Sequence, residues 1–147
     1  MTKMKLNISL NQAIEQLEKL TFKIMSKDKL DNNKERIIMQ DIYEHSVKYG
    51  IIELIYNNQE IYKATITTII PKNNEYGIKM IDMYLRGFLL IMVPGFNQSG
   101  SWLNNQLKYL AKHPTKKCMR IEKNNEITLS LLTDLGSIFL TVEAKND

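Results

Sequence analysis

The stretch IIELIYNNQEIYKATITTII, residues 51–70, limits the possible folds more than any other part of this chain. Its two runs, IIELIY and EIYKATITTII, are rich in β-branched and aromatic residues and flank NNQ, so the stretch predicts a β-hairpin. The same grammar returns near the C-terminal end. KKCMRIE, EITLSLL and SIFLTVE read as three further strands, with KNN and TDLGS as turns. The tetrapeptide KNNE occurs at 72–75 and again at 123–126, before an apolar segment each time. The flanking patterns differ, so the recurrence reads as turn chemistry used twice rather than as a duplicated domain.

Helical signals lie elsewhere. In KMKLNISL, Met4, Leu6, Ile8 and Leu10 alternate as in a half-buried strand. Ser9 and Gln12 then form a capping box, and Leu10, Ala13, Ile14, Leu17, Leu20, Ile24 and Met25 follow helical spacing to about residue 25. SKDKLDNN reads as a polar connector. A second helix is expected from about Lys34 to Lys48, with Ile38, Ile42 and Val47 inward and Gly50 at its end. A further helix is expected in NQSGSWLNNQLKYLAKHP, capped by Ser99 or Ser101. It would bury Trp102, Leu103, Leu107, Leu110 and Ala111 and stop at Pro114.

The most apolar stretch, GIKMIDMYLRGFLLIMVPGF at 77–96, is harder to place. A membrane helix needs about 20 mostly apolar residues, and Lys79, Asp82 and Arg86 interrupt this run. Helical and alternating patterns both fit what remains. Gly87 would weaken a helix by about 1 kcal/mol, and strands precede the stretch. The expectation is therefore a strand, a turn at Arg86-Gly87 and a buried strand from Phe88 to Val93. The sum is a single α+β domain over 1–147: a mostly antiparallel, hairpin-rich sheet of about six or seven strands with about three helices.

Composition narrows the function classes. The chain is 44% hydrophobic and 24% charged, which is ordinary for a globular protein. Cys118 is the only cysteine, so no internal disulfide can form, and it reads as a small, partly buried hydrophobe. No secretory signal opens the sequence, which predicts a cytoplasmic location. Lysine outnumbers arginine by 17 to 3, and asparagine and isoleucine are abundant, as in the AT-rich coding DNA of a low-GC bacterium, its mobile elements or a virus. So few guanidinium groups argue against a sequence-specific DNA reader.

No P-loop, G-x-G-x-x-G, G-x-S-x-G, H-E-x-x-H or EF-hand motif is present, and neither a cofactor nor a metal is expected. Glu35, Asp41, Glu44 and His45 match no ligand spacing and read as a solvated helix face. Asp82 with Arg86, and Glu53 with Lys63, read as ordinary surface pairs. The distinctive charge feature is Lys108, Lys112, Lys116, Lys117 and Arg120, with no acid between residues 99 and 121. Beside Trp102 and Tyr109 these cations could hold an anionic partner. They could equally complement a helix dipole and keep an exposed strand soluble.

At MIDMYLRGF the sequence bears a partial resemblance to the ribosome-inactivating RNA N-glycosylases, the group of the ricin and Shiga toxin A chains. In that family a strand carries Tyr-x-x-Gly-aromatic, matched here by Tyr84, Gly87 and Phe88. The family's opening strand and helix resemble KLNISLNQAIEQLEKL. Its second aromatic, before an L-x-x-L-A helix, is matched by Trp102 in SWLNNQLKYLA, and its Glu-Ala acid by Glu143 and Ala144. The pattern departs where no arginine follows Glu143 and in the short spacing from Tyr84 to Glu143. The resemblance implies Tyr84 stacking on an adenine, Trp102 in the place of the family's second aromatic, a Tyr, and Glu143 as the acid.

The leading expectation is a non-enzymatic interaction protein that binds another protein stoichiometrically, such as a toxin-neutralising immunity protein or a phage or mobile-element accessory inhibitor. Its patch would comprise Trp102, Lys108, Tyr109, Lys112, Lys116, Lys117 and Arg120. The alternatives are an RNA N-glycosylase using Tyr84, Trp102 and Glu143, or a nonspecific nucleic-acid binder using the segment from Lys108 to Arg120. No membrane partner is expected.

Overall fold

The computed structural model describes residues 5–42, 49–70 and 75–145. Among them lie helices α1 (Leu10–Lys19), α2 (Glu75–Met92) and α3 (Ser99–Lys112) and strands β1 (Phe22–Lys29), β2 (Glu35–Asp41), β3 (Gly50–Asn57), β4 (Glu60–Ile69), β5 (Lys117–Glu122), β6 (Asn125–Leu132) and β7 (Ser137–Ala144). The fold is α+β, and the strands form one antiparallel sheet of order β1-β2-β3-β4-β7-β6-β5. Each end of the chain thus builds a meander, and the two meet where β4 pairs with β7.

Register decides which face is covered. Met39, Ile52, Ile66, Leu140, Leu129 and Cys118 stand opposite one another across six strands, and all are buried. The neighbouring row, Ile37, Leu54, Ala64, Val142 and Ile127, is buried too. All three helices pack on this face: α1 on β1, α2 on β4 and β7, and α3 on β5 and β6. Rows such as Ile38, Glu53, Thr65, Thr141, Thr128 and Met119 face the other way, under no helix among the described residues. There the Thr65 and Thr141 hydroxyls lie 3.2 Å apart.

The capping box forms as read. Gln12 N–H donates to Ser9 Oγ at 3.3 Å, and Ser9 N–H to Gln12 Oε1 at 3.5 Å. The expected strand before it contributes buried Leu6, Ile8 and Leu10 but forms no regular ladder among the described residues: it joins β4 through a bridge from Ser9 to Glu60 and a bond from Leu6 N–H to the Ile61 carbonyl at 2.7 Å. Met4 lies outside the described residues. The hairpin at 51–69 and the three C-terminal strands are where the alternation placed them. The second KNNE closes β5 to β6 through Lys123 and Asn124, whose φ angles of 51° and 65° make the turn that right-twisted strands favour. The first copy lies largely outside the described residues.

Three expectations are corrected. First, α1 stops at Lys19. Thr21 adopts φ 72°, the chain reverses, and Ile24 and Met25 fall on β1 together with part of the expected connector. Second, the expected helix from Lys34 is strand β2 as far as Asp41. Ile37 and Met39 point inward, Ile42 is exposed, and Gly50 opens β3 rather than ending a helix. Val47, Glu44 and His45 lie outside the described residues. Third, the stretch from 77 is one helix, with no turn at Arg86-Gly87. Its buried residues fall at Met80 and Ile81, Tyr84 and Leu85, Phe88 and Leu89, and Ile91 and Met92. Two adjacent inward residues per turn fit a helix and exclude strand alternation. Exposed Ile78, Met83 and Leu90 blurred that stripe in the sequence. At Gly87 a Cβ would come within 2.6 Å of Leu20 Cδ1, so glycine lets α2 approach the end of α1. Among the described residues, no helix is long and apolar enough to cross a membrane.

Candidate interaction surface

The helix α3 sorts its residues by period. Trp102, Leu103 and Leu110 turn inward, while Lys108, Tyr109 and Lys112 are exposed. Trp102 is only 8% exposed, with its ring 6.3 Å from that of Phe96, and so belongs to the core rather than to a surface patch. Ala111, expected inward, is exposed. The expected serine caps do not form: the capping position is Gln98, whose carbonyl accepts from Ser101 Oγ at 3.1 Å. Tyr109 lies with its ring 4.5 Å from that of His113. Of the expected patch, then, Lys108, Tyr109 and Lys112 share the helix surface, and Trp102 leaves it.

Lys116 and Lys117 follow at the start of β5, both exposed and in no salt bridge among the described residues. Arg120 sits on the helix-covered side of the same strand. Its guanidinium lies 4.7 Å from the centre of the Phe96 ring and 3.5 Å from Glu122, so it has partners of its own. Between the α3–β5 loop and the β6–β7 turn opens a cleft of about 510 Å³. Pro114, Leu132 and Leu135 supply its apolar wall, and Lys116, Lys117 and Asp134 its charges. Leu135 is 72% exposed, while along the edge from the cleft Met119 is 59% and Ile121 67% exposed. Sequence reading passed over these three residues. For Met119 and Ile121 the signal was the period of two in β5, which sends Lys117, Met119 and Ile121 to one side; Leu135, in the β6–β7 turn, had none.

The residues carried by the glycosylase resemblance are not brought together. Tyr84 is fully buried on α2, where its hydroxyl donates to Asp41 Oδ2 at 3.2 Å and its ring meets Phe22 edge-on at 4.7 Å. An enclosed ring cannot stack on a nucleobase. Glu143 lies on the uncovered face, opposite Lys63 in register and 3.0 Å from Lys145. The hydrogen bond and charge of Glu143, with the charge of Glu126, raise the Lys145 pKa. The sheet therefore separates Tyr84 from Glu143.

Asp41 overturns its expected solvated placement. It is fully buried, and besides Tyr84 it accepts from Tyr49 N–H at 3.0 Å and Gly50 N–H at 3.3 Å. The two backbone donors follow eight and nine residues later and the Tyr84 hydroxyl 43 residues later, a spacing that matches no local motif in the sequence. Glu53 pairs with Arg36 at 3.7 Å and Lys63 with Glu143 at 3.9 Å, rather than with each other, whereas Asp82 and Arg86 do pair, at 2.8 Å. Cys118 is buried, and burial pushes its thiol pKa up. Among the described residues, no group of three or more His, Cys, Asp or Glu could hold a metal ion. Comparison with protein-family models, with curated proteins and with solved structures finds no match to this chain.

Proposed function

We propose that this chain works by stoichiometric binding of another protein, as a toxin-neutralising immunity protein or an accessory inhibitor does, and that the contact centres on the cleft between the α3–β5 loop and the β6–β7 turn. The observation that carries this reading is the juxtaposition there of Leu135, the most exposed large hydrophobic side chain among the described residues, with Leu132, Pro114 and two unpaired lysines. Leaving leucine in water is unfavourable, and an apolar patch rimmed by charge is the usual anatomy of a protein-binding surface. A patch of about 800 Å² per partner would extend from the cleft along β5 and onto the exposed side of α3. Arg120, held by Phe96 and Glu122, contributes rigidity rather than a free charge.

The test is capture from host lysate on the immobilised chain at low and high salt, with nuclease-treated controls. A single protein held at one-to-one ratio in high salt, and lost with Leu135→Asp or the pair Lys116→Glu and Lys117→Glu, is the expected result. Retention of nucleic acid alone, released by salt, would overturn it.

A further inference from the structure

We infer that the β5 edge accepts an extended, acidic segment of the partner as an eighth strand of the sheet. This inference rests on the protein-binding reading above and names the kind of segment bound.

The sheet has two edges, and they differ. β1 carries a register shift between Ile24 and Ser26, and Lys23, Lys27 and Lys29 project along it. A bulge with lysines is the common device that keeps an edge from pairing. β5 pairs with β6 without a shift from Lys117 to Glu122. Its two-residue turn fixes which backbone groups are free. In such a hairpin the flanking pair, here Glu122 and Asn125, exchanges both bonds, and bonded pairs then alternate along the ladder. Arg120 and Cys118 continue the bonded series. The N–H and C=O groups of Lys117, Met119 and Ile121 consequently point away from β6, along an edge that no described strand covers.

The side chains specify what would pair there. Met119 and Ile121 stand exposed on the outer face and call for apolar partners opposite them. Lys117 on the same face and Lys116 just before it call for acids, whereas Arg120 on the other face already has Glu122. Glu122, beside Arg120, and Asp134, in the cleft, are the acids already nearby. A second copy of this chain, run antiparallel about Met119, would set Lys116 against Glu122 but Lys117 against Ile121, leaving Lys117 without an acid, so charge favours a more acidic foreign segment. Run antiparallel, as every pair in this sheet is, such a segment would reach the cleft as it passes Lys116 and could set an apolar residue against Pro114 and Leu135.

The probe is the synthetic peptide TVEVTEEL, with TVKVTKKL as its charge-reversed control, followed by amide NMR and hydrogen exchange on the full chain. TVEVTEEL is expected to slow exchange at the amides of Lys117, Met119 and Ile121. Met119→Pro, which removes one outward N–H, is expected to weaken it by at least about tenfold, whereas Met119→Ala changes affinity by less than about threefold. Ile121→Pro provides a second such deletion should Met119→Pro fail to fold. The pair Lys116→Glu and Lys117→Glu is expected to transfer preference to TVKVTKKL. No change at the three amides in millimolar peptide, or equal binding by both proline variants, overturns the inference. So does protection of those amides by self-association without peptide. Lysate capture that survives such a failure leaves the protein-binding reading standing; binding of TVEVTEEL without any captured partner would instead sink that reading and keep the edge site.

Discussion

Asp41 ties three parts of the chain together through a single carboxylate. Its acceptors take the N–H groups of Tyr49 and Gly50, which lead into β3, and the Tyr84 hydroxyl from the middle of α2. Removing an acceptor that buried donors depend on costs the desolvation of each donor left behind. Asp41→Ala is expected to destabilise the protein by about 3 kcal/mol or more, read as a shift in the urea midpoint. Tyr84→Phe removes one donor and keeps the ring against Phe22, so it should cost about 1 kcal/mol. Because the two share a bond, the double variant should fall short of the sum, and strict additivity would show that the Tyr84 bond contributes nothing. At Cys118, burial both shields the sulfur and disfavours the thiolate that an alkylating agent attacks. Alkylation at pH 8 should therefore be slow in the native protein and fast in denaturant; fast native labelling would mean that the end of β5 opens readily.

Elements with one clean period were legible from sequence, and those with a reason to break period were not. α3 and the strands β3 to β7 showed their pattern because one face of each is covered and the other open. β2 hid itself by placing Asp41 at its third inward position, after Ile37 and Met39, where an apolar residue would have completed the alternation. α1 appeared too long because Thr21, a β-branched residue in a left-handed conformation, reverses the chain where glycine would have been the recognisable signal. α2 was misread at Gly87, a residue whose cost to the helix is offset by what it permits. Its missing Cβ leaves room for Leu20, whose three nearest atoms would lie 2.6, 3.1 and 3.4 Å from an added carbon. Gly87→Ala sets a gain of about 1 kcal/mol in helix propensity against displacing the flexible end of Leu20, and should change stability little. Gly87→Val should cost about 2 kcal/mol or more by forcing α2 off the α1–β1 corner. If valine is tolerated as well as alanine in thermal unfolding, the close approach is not what keeps glycine there. The proposed interaction surface was half legible: its lysines and Tyr109 stood out as a charge pattern, but the cleft exists only because the β6–β7 turn comes back beside the start of β5.

On the scale of the whole molecule, two meanders share one sheet, and the question is whether they unfold as one body. Only the β4–β7 pairing joins them within the sheet, and residues as distant as Ala64 and Val142 meet there. α2 lies across that seam, touching β4 and β7 below and α1 and α3 at its sides. Phe88, fully buried in the C-terminal third of α2, belongs to the core that both halves share. Replacing it with alanine removes apolar contact and leaves a cavity, a loss of about 3–5 kcal/mol in a buried site. If the seam couples the halves, that loss must appear in both. Amides of β2 and β3 and amides of β6 should lose protection together in Phe88→Ala, by about two to four orders of magnitude in native-state hydrogen exchange. Loss confined to one meander would mean that the halves are separate cooperative units joined by a single strand pair. The distinction bears directly on binding. A partner strand on β5 would stiffen the distant β1–β2 edge only if the seam transmits its stabilisation, so the range of protection gained on binding should match the range lost in Phe88→Ala.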